Sequence, residues 1–262
     1  MRARLPIFPL GTVLFPGLVL PLHIFEERYR ELVRHLVGLP DGSGPREFGV
    51  VAIRSGWSGP TAPAGPTGPV TEIDLSRPPA AADLELRPAS TSPGGVPAGQ
   101  EVTLYEVGCT AELRQVTELE DGRFDLVTVG RRRFRLLDVD QSSAPYLTAE
   151  VEWLPEPAGQ EEVADLLAPR VLAVFRQYLG LIRDDPDELS EQLPDDPTVI
   201  SHLVAATAAL TLADRQRLLA MPDTAERLRA ELRLLSREAT LLRQVRAVPV
   251  PLTELAVPPS PN

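Results

Sequence analysis

Prolines at positions 6, 9, 16 and 21 cut the apolar stretch Leu5–Leu22 into pieces. Each ring removes a backbone donor and pushes the preceding residue toward extended backbone, so no helix crosses residues 5 to 22. The stretch reads as strand, turn, strand: Leu5–Phe8, a turn at Pro9-Leu10-Gly11, Val13–Phe15, a turn at Pro16-Gly17, then Leu18–Leu22. After His23 the period changes. Tyr29, Leu32, Val33, Leu36 and Val37 recur at helical spacing behind an acidic start at Glu26 and Glu27. Arg2 and Arg4 ahead of an apolar segment imitate the opening of an export signal. The prolines break its core, however, and His23-Ile24-Phe25-Glu26-Glu27 stand where small residues would precede cleavage, so the strand reading holds.

The chain has 262 residues, enough for one large domain or two small ones. Hydrophobic residues make up 43% and aromatics only 5%, so Leu, Val and Ala must fill the core. No run approaches the ~20 apolar residues that span a bilayer, and a soluble cytoplasmic protein is expected. All 26 basic side chains are arginine. Without lysine there is no Walker A loop, no Ser-Lys dyad and no Schiff-base chemistry. Neither G-x-S-x-G nor H-E-x-x-H occurs.

A net charge of −11 disfavours nucleic acid as the main partner, because phosphate binding needs concentrated positive charge. Arg131-Arg132-Arg133-Phe134-Arg135 is the local exception. On a strand, Arg131, Arg133 and Arg135 would share one face, with Arg132 and Phe134 on the other. A solvated strand face is the better reading; an RNA-binding stripe is the alternative. The single cysteine, Cys109, excludes an internal disulfide and reads as a buried small residue rather than a nucleophile. His23, His35 and His202 with that one cysteine give no zinc-ligand spacing, so no metal or other cofactor is expected.

Strands continue around the first helix to Phe48–Arg54. From Ser55 to Gln100, Gly-Pro and Pro-Pro pairs dominate, a composition that cannot offset its ordering entropy, and a mostly disordered insertion is expected. Trp57 near its base is either packed or exposed for a partner. Val107–Glu118 reads as a strand, Glu120–Arg123 as a hairpin turn, and Phe124–Val129, Phe134–Asp140 and Tyr146–Leu154 as further strands, with a bend at Gly130. From Gln160 the pattern is helical, with a kink expected at Pro169. Asp196 with Pro197 marks a helix start, and the segment to Leu210 is nearly apolar all round, which makes His202 a hydrogen-bonded packing residue. Thr211 caps a short helix and Asp223 or Thr224 a long last one, with a seam of Leu228, Leu232, Leu235, Ala239, Leu242 and Val245. Prolines from 249 onward make a frayed tail.

"FPLGTVLFPG" and "LPLHIFEERYR" followed by a helix, "YEVGCTAELRQVTELEDGRFDLVTVGRRRFRLLDV" with its Gly-x-x-Ala, Asp-Gly-Arg and Gly-x-x-Arg-Phe pattern, and "LADRQRLLAMPDTAERL" with its Gln-x-x-Leu and Arg-Leu spacing resemble the Lon substrate-binding domain family. The resemblance covers about 5–54 and 101–247 and implies an α+β fold. That fold is a PUA-like small β-barrel with one early helix over residues 1–154, then a helical bundle over 160–247 ending in a long helix. It further implies a non-catalytic module that binds unfolded or exposed polypeptide segments, or one dedicated protein partner, as an adaptor or regulator in protein quality control. Phe25, Tyr29 and Trp57 are the candidate lining residues, and no catalytic, cofactor or metal residue is carried over. Family members join "FGVV" to "VGCTA" by a shorter segment, so residues 55–100 look like an insertion.

Overall fold

The computed structural model describes residues 1–40, 42, 44–55, 103–182 and 194–245. Among these, seven strands precede residue 154, and four of five helices follow residue 160. The strands are β1 (Arg2–Leu10), β2 (Val19–Ile24), β3 (Glu47–Ser55), β4 (Thr103–Leu104), β5 (Val107–Glu118), β6 (Phe124–Asp140) and β7 (Thr148–Trp153). Helix α1 (Glu27–Val37) lies between β2 and β3; α2 (Glu161–Ile182), α3 (Pro197–Thr207), α4 (Leu212–Leu219) and α5 (Thr224–Val245) follow the sheet. Trp57 and nearly all of the Pro/Gly-rich segment, the tail, and residues 183–193 lie outside the described residues.

Strand β1 is longer than its prolines suggest, because it changes partner. Arg2–Pro6 pairs antiparallel with β7, and Ile7–Leu10 pairs parallel with β3. The remaining pairings, β7–β6, β6–β5 and β5–β3, are antiparallel and complete a closed circuit of strands. β2 adds to the outer half of β6, and β4 to the end of β3.

Val13–Phe15 is not a strand, contrary to its apolar run. Its residues are buried but unpaired: Leu14 enters the core under α1, while Val13 and Phe15 pack with Ala205, Leu218 and Leu219 of the helices. The segment serves as packing between layers rather than as sheet. Phe124–Val129 and Phe134–Asp140 are likewise one continuous strand, β6, rather than two. Gly130 does not end it. The glycine lets the Phe15 carbonyl approach so closely that a Cβ at position 130 would stand 2.1 Å from that oxygen.

Local chemistry accounts for the helix boundaries. Asp196 accepts from the amides of Thr198 (2.7 Å) and Val199, with Pro197 in the first turn of α3. Thr211 accepts from Asp214 N, and Asp223 from Glu226 N. Gly122, at φ 76°, makes the β5–β6 turn. Helix α2 runs through Pro169. α2 and α5 lie parallel: Thr224 N and Ala225 N donate to the carbonyls of Pro157 and Ala158, and farther along Arg243 reaches Gln177.

Candidate functional site

The sequence candidates fall in different surroundings. Tyr29 is a core residue, 4% exposed, with its ring stacked on Phe8 at 4.0 Å between centroids. Burial pushes its hydroxyl up to about 12 against the opposing pull of Arg28. Phe25, just before α1, is half-buried, with its ring 6.1 Å from that of His23. His23 in turn meets Asp125 at 2.6 Å and Arg123 at 3.2 Å on the surface. Cys109 is fully buried, and burial raises its thiol far above the ordinary range, so it is no nucleophile.

The arginine run does not form the one-faced stripe that simple alternation predicts. Cys109 pairs with Arg133 and Ala111 with Gly130, so two residues of β6, Arg131 and Arg132, oppose the single Thr110. This bulge reverses the alternation and turns Arg133 inward to 1% exposure. Arg131, Arg132 and Arg135 stay half-exposed, and each meets a carboxylate: Glu112 at 2.7 Å, Glu47 at 2.5 Å and Glu152 at 3.6 Å. Arg132 also lies 3.8 Å over the ring of Trp153. The positive charge available to a phosphate backbone is thereby largely neutralised, and the geometry lends the RNA reading no support.

The densest chemistry lies where sheet and helices meet. Arg133 donates to Glu156 Oε1, to the carbonyls of Leu219 (2.7 Å) at the end of α4 and Met221 (2.6 Å) just past it, and to Pro155 O (2.8 Å). It satisfies carbonyls that a helix end leaves open. Arg227 on α5, fully buried, donates to Leu218 O (3.2 Å), Ser201 Oγ (2.8 Å) and Glu156 Oε2 (3.3 Å). His202 Nε2 is 3.3 Å from both Glu156 and Arg227. Glu156, in the linker between β7 and α2, is therefore gripped from β6, α3 and α5 together. On the same junction, Gln216 of α4 donates to Val107 O at 2.7 Å.

Burial alone would raise the Glu156 carboxyl, but His202 and the two guanidiniums hold it down at about 2. Burial and the nearby arginines lower His202 to about 4 despite Glu156. Both are weak bases at neutral pH, ill-suited to general-base catalysis. One turn beyond Arg227, Glu231 is 1% exposed, and neither carboxyl oxygen has a hydrogen-bond partner. Burial raises it well above the ordinary carboxylate range, against the opposing pull of Arg227, and so favours the protonated form. No group of three His, Cys, Asp or Glu suited to a metal occurs among the described residues.

Sequence reading placed His202 as a hydrogen-bonded core residue, as found, but did not assemble this cluster from positions 133, 156, 202, 227 and 231. A signal was present. The Gly-x-x-Arg-Phe pattern ends in Arg133-Phe134, the Gln-x-x-Leu spacing contains Gln216, and Arg-Leu is Arg227-Leu228. The polar residues of those patterns are the ones that tie the sheet to the helices.

The family model of the ATP-dependent protease La (LON) substrate-binding domain matches residues 4–237. The chain belongs to the Lon substrate-binding domain family. Lon protease 1 of Thermus thermophilus is 36% identical over 140 residues, 52% of this chain and 17% of that protein. Lon protease 2 of Herpetosiphon aurantiacus is 26% identical over 243 residues, 91% of this chain and 24% of that protein. The chain thus spans about a quarter or less of these relatives. Among solved structures, a Lon N-terminal domain protein from Xanthomonas campestris aligns over 89% of this chain and 98% of its own, at TM-score 0.51 and 21% identity. The N-terminal domain of a Mycobacterium avium complex Lon protease gives TM-score 0.55 at 17% identity over the same shares. These two similarities establish a Lon N-terminal domain fold, with a mixed sheet and five helices. No helix among the described residues is long and apolar enough to cross a membrane.

Proposed function

We propose that this protein is a non-catalytic recognition module that binds unfolded or exposed polypeptide segments, as an adaptor or regulator in protein quality control. The observation that carries this reading is the match of a substrate-binding domain over residues 4–237, nearly the whole chain. The weak basicity of Glu156 and His202 and the deep burial of Cys109 fit a module without chemistry of its own. In this reading the closed strand circuit is the PUA-like barrel and α2–α5 the helical bundle, two units joined by residues 154–160. Of the candidate contacts, Phe25 is half-buried and is the one proposed to touch a ligand, Tyr29 is a core residue, and Trp57 stays a candidate outside the described residues.

Fluorescence anisotropy of a labelled, permanently unfolded polypeptide tests the reading, with a folded control and single-stranded RNA carrying the same label. Selective binding of the unfolded chain, weakened by Phe25→Ala, is expected. Binding of none of the three would sink general client capture and leave one dedicated partner. Preference for RNA would overturn the reading.

A further inference from the structure

Arg227 faces two carboxylates and uses one. It donates to Glu156 at 3.3 Å, while Glu231, four residues along the same helix and within side-chain reach, has no partner on either oxygen. Buried carboxyls are ordinarily hydrogen-bonded, and one left bare beside an arginine calls for a physical account. Glu156 also bridges the junction ionically: Oε1 takes Arg133 from the sheet, and Oε2 takes Arg227 from α5.

We propose that Glu156 and Glu231 compete for Arg227, forming a proton-controlled clasp between the sheet and the helices. With Glu231 protonated, Arg227 turns to Glu156 and the bridge Arg133–Glu156–Arg227 is closed. When Glu231 loses its proton to solvent, it becomes a second anion on the same helix as Arg227, and a fully buried one. Arg227 then turns to it, and Glu156 keeps Arg133 and His202. The charge within the cluster falls by one on that step, and no co-reactant is needed.

The groups facing the cluster are few. β6 contributes Arg133, the linker Glu156, α3 His202 and α5 Arg227 and Glu231; β5 contributes the un-ionised Cys109 thiol, and α4 only carbonyls. His202 is already neutral at neutral pH, so it does not drive the exchange there. Beyond this cluster, sheet and helices share the covalent tether of residues 154–160, the hydrogen bond from Gln216 to Val107 O, and an apolar layer in which Val13, Phe15, Ala52 and Val107 meet Ala205, Leu218 and Leu219. Opening the Arg227–Glu156 half of the bridge leaves these contacts and those of Arg133 in place, and loosens the junction rather than parting it.

The test attaches a donor and an acceptor dye to cysteines at the exposed positions Glu118 on β5 and Thr240 on α5; buried Cys109 stays unlabelled. Lifetime energy transfer then gives the distance distribution between about pH 6 and about pH 10, a window in which the absence of lysine leaves no lysine side chain to titrate. The wild type should be narrow at the lower pH and broaden as pH rises. Glu231→Gln should stay narrow throughout, and Glu156→Gln should be broad at both ends. Indistinguishable profiles for wild type and Glu231→Gln, or a narrow Glu156→Gln, would overturn the proposal. If circular dichroism shows that Glu156→Gln does not fold, the comparison of wild type with Glu231→Gln decides alone. No polypeptide ligand enters this test, so its outcome is independent of the recognition reading.

Discussion

Arg131, Arg132, Arg133 and Arg135 are neighbours on one strand, yet they do two different jobs. Three keep their side chains about half in water and pair with carboxylates on the sheet surface. The fourth is 1% exposed and holds together a linker, a helix end and a carboxylate. Exposed pairs contribute little because water screens them and long side chains lose entropy in forming them. A buried arginine has no such substitute, since removing any partner strands a charge or a donor in a dry site. Equal chemistry in sequence therefore does not mean equal weight in structure; one bulge decides it.

The largest effect expected from breaking this contrast is at Arg133. Arg133→Met leaves Glu156 half-paired and three carbonyls open, and should cost about 3–5 kcal/mol of stability in urea denaturation. Acid comes next. His202 has a folded value of about 4 against 6.5 when unfolded, so between these the unfolded chain binds more protons and stability falls as pH drops. The full loss is about 3 kcal/mol, and His202→Gln should remove it from a set of denaturation curves. Glu156, lowered to about 2, adds a second loss in the same direction, complete only as pH falls from about 4.5 through about 2.

Gly130→Ala tests the bulge rather than the charges. Its Cβ would press on the Phe15 carbonyl, and a cost of about 1–3 kcal/mol in thermal or chemical melts is expected from the forced backbone shift. The smallest effect belongs to the outer arginines. Arg131→Gln and Arg135→Gln should each change stability by less than about 1 kcal/mol, with the difference shrinking further in salt. A cost comparable to that of Arg133→Met would erase the contrast.

Much of this was legible in the chain. Helical spacing gave α1, β5 matched its apolar run from Val107 to Glu118, and Asp196, Thr211 and Gly122 sit at the caps and turn their chemistry demands. Val13–Phe15 misled because an apolar run shows burial and not what it is buried against. The arginine stripe misled because strand alternation holds only until a bulge, and nothing local announces one beyond Gly130. The junction cluster was hidden for a third reason. Its members come from four stretches of chain more than 20 residues apart, and only tertiary packing turns Glu156, one acidic residue among 37 in the sequence, into a shared acceptor.

The proposed function is recognition of polypeptide through apolar contact, by a protein whose exposed arginines on β6 are already paired with carboxylates. The direct measurement is the affinity of the full chain for a labelled unfolded polypeptide at about 50 and about 200 mM salt. Affinity that stays within about twofold across that range is predicted, since few counterions are released when apolar surface is buried. A fall of tenfold or more, or no binding at either salt, would contradict the account.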